Sequence, residues 1–296
     1  MQDSKSLYTN CFAEYRLSDE KLKQLQQVLL EILVDVKNVC EKYQINYMLC
    51  GGTLLGAIRH KGFIPWDDDI DFTMLRSEFD QFKAAFNLEL SEKYILAEPL
   101  SIPNYFAKHV KIFKKGTTLV EIPTAGVRGP DMIFIDLFLL ENLPSPGWRR
   151  KLKGIAYNIA FRASSVCLDY KYPSPPIMQK SKVNRELRRY YSFRRFCGFC
   201  FSLFGSSEFY LKICESLAES SEETELLSIP SVTGYLGRVY QRKWFSSYTY
   251  AEFCGYLMKV PEYYDEYLKY EYGEYMQIPP PEKREIHSAY KIEFSK

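Results

Sequence analysis

Between Leu22 and Cys40 the apolar positions Leu22, Leu25, Leu29, Ile32, Leu33, Val36 and Cys40 recur at three- and four-residue steps. That is the period of a helix with one buried face. Ser18 suits its N-cap, and Asp19 and Glu20 fall in the first turn, where the helix dipole favours anions. The pattern then changes. Tyr43–Cys50 reads as a turn into a short strand, Gly51-Gly52 breaks it, and Thr53 is expected to cap a short helix through Arg59. Gly62 and Pro65 mark a loop, and Ile70–Met74 alternates as a second strand. Ser77 opens a helix through about Phe86, and strands are predicted at Tyr94–Ala97, Ala107–Phe113, Thr117–Glu121 and Ile133–Leu140. This order implies an α+β fold, a small mixed sheet with helices against it.

Past Asn142-Leu143-Pro144-Ser145-Pro146-Gly147 the character shifts to helix, from Trp148 to about Ser228. We expect a catalytic core over 1–147, a basic helical region over 148–230, and a Tyr-rich segment over 231–296 that completes the catalytic unit. Two basic runs stand out, Arg149–Lys153 and Lys180–Arg195. The second holds seven Lys or Arg against one Glu. Such a run is either a solvated helix face or a docking surface for anionic lipid or an anionic polymer. Tyr172-Pro173-Ser174-Pro175-Pro176 reads as a short extended linker within this region.

Bulk composition narrows the classes. The 296 residues are 46% hydrophobic and 26% charged, which fits a globular chain and excludes wholesale disorder. A net charge of +2 gives no general case for a nucleic-acid polymer as partner. No run of 18 apolar residues is present, and Met1–Asn10 is polar, without the apolar stretch of a signal peptide. The eight cysteines, scattered and mostly among apolar neighbours, read as reduced and buried, which implies a cytoplasmic protein.

The chemistry concentrates in Trp66-Asp67-Asp68-Asp69-Ile70-Asp71-Phe72, four carboxylates in five positions. Carboxylates that close repel unless a cation sits among them, and hard oxygen ligands suit magnesium, with manganese the alternative. Strand parity places Asp69 and Asp71 on one face, with Asp67 joining if the strand starts early and Asp68 facing away. Upstream, Gly51-Gly52 before a helix start lets backbone N–H groups approach a phosphate. Asp136, alone in the apolar run Ile133–Leu140, would be costly to bury unpaired and is expected to complete the metal cage or to act as base. Arg59, His60 and Lys61 are placed to neutralise phosphate oxygens, or stand as cations at a helix C-terminus. Lys108 and Lys111 are three apart, so at most one faces the site, and Lys111 is the candidate. Cys197 and Cys200 read as helix thiols rather than half of a zinc site. The acidic, aromatic run Tyr263–Tyr272 reads as packing, or as a cation–π surface for a quaternary amine.

The block Gly51–Asp71, with Arg59-His60-Lys61-Gly62-Phe63-Ile64-Pro65-Trp66 inside it, strongly resembles the LicD family of phosphotransferases, which includes fukutin-like proteins. Ile135–Pro144 is similar to that family's second block, although Glu141-Asn142 stands where Asp-Gly is common, so Glu141 is given no catalytic role. Tyr272–Pro280, with Lys283, Arg284 and His287, resembles the third. The resemblance implies a nucleotidyltransferase-like fold, with Gly51 and Gly52 on the nucleotide phosphates and Asp69, Asp71 and Asp136 on magnesium; the residues' own positions add Thr53, Arg59, His60 and Lys61 as phosphate candidates and Asp67 as a metal candidate. It implies transfer of a substituted phosphate, phosphocholine first, from a CDP-activated donor to a hydroxyl of a lipid-linked glycan precursor of teichoic acid, lipopolysaccharide or capsule. The residues alone equally permit nucleotidyl transfer to a sugar or small molecule. A non-catalytic glycan- or membrane-binding protein on the same scaffold is the competing class, against which the retained aspartates argue. The expected location is cytoplasmic, with peripheral contact at the inner face of an anionic membrane.

Overall fold

Ser18 caps α1 (Asp19–Lys42) as expected, its hydroxyl accepting from the Lys21 N–H at 3.4 Å. Leu25, Leu29, Ile32, Leu33, Val36 and Cys40 are buried along one stripe, while Leu22 is half-buried. That stripe packs beneath a mixed sheet in a computed structural model that describes residues 11–102, 105–127, 129–144, 147–220, 222–281, 284 and 288–294. Five strands run in the order β1–β2–β6–β4–β3: β1 (Met48–Leu49), β2 (Asp71–Leu75), β3 (Tyr94–Ala97), β4 (Val110–Lys114) and β6 (Phe134–Asn142). Two short strands extend it, β7 (Leu226–Ser228) on β6 and β8 (Tyr240–Gln241) on β7. Among the described residues only β2 and β6 pair in parallel within this sheet; its other pairs are antiparallel. The predicted strand at Thr117–Glu121 forms as β5 (Thr118–Glu121), but it pairs with β11 (Ala289–Glu293) in a separate ribbon. The α+β class is as expected.

α2 (Gly51–His60) joins β1 to the loop before β2, and α3 (Arg76–Glu89) follows β2. Helix α2 starts at Gly51 behind Cys50, so Thr53 is inside the helix and not its cap. Its hydroxyl instead accepts the Asp71 N–H at 2.8 Å, pinning the start of β2. Beyond β6 a helical layer is built from α4 (Gly147–Lys171), α5 (Pro175–Val183), α6 (Arg185–Ser202) and α7 (Ser207–Ala218). Tyr157, Ala160, Ala163 and Cys167 pack there with Tyr210 and Cys214. Lys108 ties this layer to the sheet: its ammonium donates to the Phe161 carbonyl at 3.0 Å and to Ser165 Oγ at 2.8 Å.

The segment Tyr172–Pro176 is no solvated linker. Ser174 is fully buried, its N–H donates to the Tyr191 hydroxyl at 3.0 Å, and its own hydroxyl donates to the Ile122 carbonyl at 2.5 Å. Pro175 then starts α5, a position that suits its fixed φ and missing N–H. The C-terminal third adds α8 (Pro230–Thr233), a hairpin of β9 (Tyr248–Phe253) and β10 (Tyr256–Pro261), and α9 (Tyr264–Tyr272). Within α9, Tyr267 and Leu268 are buried against the main core, with Tyr240, Trp244 and Phe245 around the Tyr267 ring. Tyr267 of the run is therefore packing, whereas Tyr263, Tyr270 and Tyr272 stay exposed.

All eight cysteines are free; Cys11, Cys40, Cys50, Cys167 and Cys214 are buried, Cys197 and Cys200 are half-buried, and Cys254 is exposed, contrary to the expectation for that residue. Among the described residues no helix is long and apolar enough to cross a membrane.

Candidate active site

The parallel pairing of β2 with β6 sets Asp71 opposite Asp136, and the antiparallel pairing of β6 with β4 sets Lys111 opposite the same residue. Register partners point to one face of a sheet, so two carboxylates and an ammonium from three neighbouring strands share that face. His109, two positions before Lys111, projects the same way. Its Nε2 lies 3.0 Å from Asp136 Oδ1, and Lys111 Nζ lies 3.6 Å from the same oxygen. Burial works to raise the Asp136 carboxyl, but Lys111 and then His109 oppose it, and the group is held below the usual carboxylate range. Lys111 is itself buried, with its ammonium 3.3 Å from the Phe134 ring centroid.

The remaining aspartates lie just ahead of β2. Strand parity fails here, because the strand begins at Asp71 and Asp67–Asp69 belong to the loop before it. Freed from the pleat, Asp68 does not face away: one carboxylate oxygen from each of Asp67, Asp68 and Asp69 lies within 4.8 Å of the others. The Gln26 side-chain amide donates to the Asp67 carbonyl at 2.8 Å and fixes the loop on α1. Asp71 is held from two sides, by Thr53 and by the Cys50 N–H donating to its carbonyl at 3.3 Å. Cys50 lies fully buried beside them. Burial first, and then the charges of Asp71, Asp136 and Asp69, push its thiol well up. The strand pair and the loop thus contribute to one negative field.

The glycine pair works through close approach. A Cβ on Gly51 would lie 3.0 Å from Asp71 Oδ2, and one on Gly52 would lie 3.0 Å from Asp67 Oδ2. These carboxylates rest against the backbone where α2 begins, the electropositive end of the helix. The Gly51 N–H is not free for a phosphate, since it donates to the Tyr267 hydroxyl at 3.3 Å. Gly51 also has φ +55°, so Gly51→Ala is strained as well as crowded. We expect that variant to lose about 1–2 kcal/mol of stability. Its turnover should fall further than its folded fraction, which comparing activity with a circular-dichroism melt would check.

Arg59, His60 and Lys61 occupy the far end of α2, roughly 12 Å along the helix from Gly52. Arg59 donates through Nη1 to the carbonyls of Tyr275, at 2.6 Å, and Gln277, at 3.3 Å, and through Nε to His60 Nε2 at 2.9 Å. It therefore anchors the segment after α9. Burial, and then the neighbouring Arg59 charge, lower the His60 pKa, so the ring accepts that bond in its neutral form. Lys61, in a left-handed turn, is 3.8 Å from Glu252 on the hairpin. The contacts of all three are with other groups of the protein.

Helix α9, just ahead of the segment that Arg59 anchors, walls the site. Tyr267 reaches Gly51, and Asp71 and Asp67 are among the charges that raise the Tyr272 hydroxyl, after burial. The Arg284 guanidinium stacks 4.0 Å from the Trp66 ring centroid, beside the acidic loop. Lys283 and His287 lie outside the described residues. Lys111 faces the site and Lys108 does not, as the spacing allowed. His109, Tyr267 and Tyr272 were missed as site residues. For His109 the signal was present: two basic residues at i, i+2 in an apolar strand can both face an isolated aspartate. Glu141 sits five residues beyond Asp136, buried and paired with Arg76. Around Cys197 and Cys200 no His, Asp or Glu group gathers among the described residues.

Sequence comparison places this geometry. Residues 44–117 match the family described as LicD/FKTN/FKRP, nucleotidyltransferase domain. The chain is 31% identical over 269 residues, 90% of its length and 95% of the relative's, to the lipopolysaccharide cholinephosphotransferase LicD of Haemophilus influenzae. The chain belongs to the LicD family. An uncharacterised protein of Rickettsia typhi is 38% identical over 69 residues, 23% of this chain and 21% of that protein. An uncharacterised protein of Rickettsia prowazekii is 38% identical over 65 residues, 22% of this chain and 23% of that protein. For this LicD-family chain the donor set is all oxygen and carries excess negative charge, which fits a hard divalent cation. Asp67, Asp68 and Asp69, whose carboxylate oxygens lie within 4.8 Å of one another, are the group that could hold it, with Asp71 and Asp136 on the adjacent strand pair as further candidates.

Lys111 gives a direct check on the electrostatics. Lys111→Met leaves Asp136 buried with His109 as its remaining side-chain partner, and removing one member of a buried ion pair costs about 3 kcal/mol. The folded-state Asp136 pKa is depressed, so the stability it contributes is present above about pH 4 and lost as pH falls through the folded value. Urea unfolding across pH should show the wild-type-to-variant gap widest at neutral pH and closing in acid. A gap that ignores pH would mean that Lys111 acts by packing alone.

Proposed function

We propose that this LicD-family transferase moves phosphocholine from a CDP-activated donor to a hydroxyl of a cell-surface glycan, and that magnesium serves the reaction. One observation carries the reading: the Asp71–Asp136 register beside the Asp67–Asp69 loop makes a rigid acidic site at the start of α2. The Haemophilus relative, matched over nearly its whole length, is a lipopolysaccharide cholinephosphotransferase, which supports phosphocholine and a glycan as the two substrates. A divalent ion at the aspartates would neutralise phosphate charge and lower the pKa of a bound hydroxyl.

The chain's own residues supply the framework. Thr53 and Cys50 hold Asp71 in place, and Lys111 and His109 hold Asp136. The acceptor oxygen attacks the phosphorus that bears choline and gives up its proton to water or to a loop aspartate, while the bond to the CMP oxygen breaks and CMP leaves with that electron pair. A carboxylate held below its ordinary range is a poor proton acceptor, so Asp136 serves better as a charged anchor than as the base. We extend the reading to a peripheral encounter with an anionic bilayer, through the helical layer.

The test incubates the protein with CDP-choline, CDP-ribitol and other CDP donors, with lipopolysaccharide or teichoic acid precursors and magnesium. Release of CMP with labelled choline in the glycan is the expected result. Release of phosphocholine with CMP on the acceptor would instead establish nucleotidyl transfer. Absence of turnover with every donor would overturn the reading.

A further inference from the structure

Helix α6 turns its sides to different surroundings. Leu187, Tyr191 and Gly198 face inward, and Arg194 on that side holds Asp169 at 2.6 Å. A Cβ on Gly198 would clash with the Val166 carbonyl, so α6 lies directly on α4. The outward side is apolar and bare: on the helix Phe193 is 66% exposed and Phe196 63%, and in the turn that follows Leu203 is 70% and Phe204 80%. Four and eight residues before Phe193, on the same side of the helix, stand Arg189 and Arg185, both exposed, as are Lys182 and Arg188.

Helix α4 carries a second stripe. Trp148, Leu152, Ile155 and Ile159 recur at helical spacing and are 46–61% exposed. Val166, two turns beyond Ile159, continues that face and is where α6 packs, so α6 covers one half of the face and leaves the other bare. Arg149, Lys151 and Arg162 border the bare half and are exposed.

We infer that this face is an interfacial membrane-docking surface, with the phenylalanine and aliphatic stripes entering the headgroup boundary of an anionic bilayer and the flanking arginines on its phosphates. Exposed apolar residues in contiguous stripes mark an interaction surface, and cations beside them are the composition of helices that lie in a lipid interface. The charge pattern selects the occupant. A second copy meeting through the same stripes would set cationic rim against cationic rim, which an anionic surface reverses into attraction. Charge along the run is not uniform, as the sequence alone suggested: Lys180 is taken by Glu14 at 2.6 Å and Arg194 by Asp169, which leaves Lys182, Arg185, Arg188 and Arg189 as its exposed cations.

The test floats the full chain with phosphatidylcholine vesicles, alone or mixed with phosphatidylglycerol, at low and high salt and without any donor. Wild type should float with the anionic vesicles only. Arg185→Glu/Arg188→Glu/Arg189→Glu, in which Arg185→Glu also suits the helix dipole, should weaken this by about a hundredfold. Phe193→Ser/Phe196→Ser/Phe204→Ser should weaken it by about tenfold and leave a residue of binding that salt abolishes. Because these side chains are exposed, both variants should keep the wild-type melt and the wild-type rate on soluble substrates. Wild type that ignores anionic vesicles at low salt overturns the inference. So does a phenylalanine variant that binds as well as wild type, or sedimentation showing a wild-type dimer that the same variant splits. Vesicle binding is read without transfer, so a failure of the proposed chemistry leaves this result separate.

Discussion

Asp71→Asn should reduce turnover by on the order of a thousandfold or more while the fold survives. Two bonds that place Asp71 use its backbone, the N–H to Thr53 and the carbonyl from Cys50, and asparagine keeps both. The carboxylate itself adds negative charge to a site that already holds Asp136 in register with it and Asp67–Asp69 just ahead of it. Its removal relieves repulsion among these carboxylates, so the melting temperature should hold or rise. Asp69→Asn should behave alike, since Asp69 shares the acidic loop that leads into β2 with Asp67 and Asp68. Chelation by EDTA should silence the wild type, with activity restored by magnesium. Full turnover in either variant, or wild-type turnover indifferent to EDTA, would sink the aspartate metal site.

Asp136→Asn is expected to combine two losses. Turnover per folded molecule should fall by on the order of a hundredfold. Stability should fall as well, by roughly 3 kcal/mol, because Lys111 and His109 lose the charge that they were buried against. The double variant Asp136→Asn/Lys111→Met separates these effects. It removes both members of the pair, so stability should recover while turnover does not. A single variant that unfolds easily yet keeps full specific activity in its folded fraction would make Asp136 purely structural.

Local pattern carried much of the protein. The period of Leu25 through Val36 specified α1, and the alternation around Asp71 and Asp136 specified two strands with their acidic residues, because side-chain direction repeats with backbone period. Extending that rule upstream of the strand produced the error at Asp68: it assumed strand geometry for a stretch that is loop, where Asp67, Asp68 and Asp69 converge.

Chemistry of individual residues was thus legible, and partnership was not. From the sequence, four aspartates near a glycine pair already required a cation or a costly repulsion, whatever the fold. Only the tertiary structure decided that β2 and β6 run in parallel with Asp71 beside Asp136, and that β4 brings Lys111 and His109 to the same oxygen. It likewise gave Arg59 to the carbonyls of Tyr275 and Gln277, more than 200 residues away along the chain, and the Gly51 N–H to Tyr267. A charged group's partner depends on which distant segment the hydrophobic core brings within a few ångströms, and no local period encodes that distance.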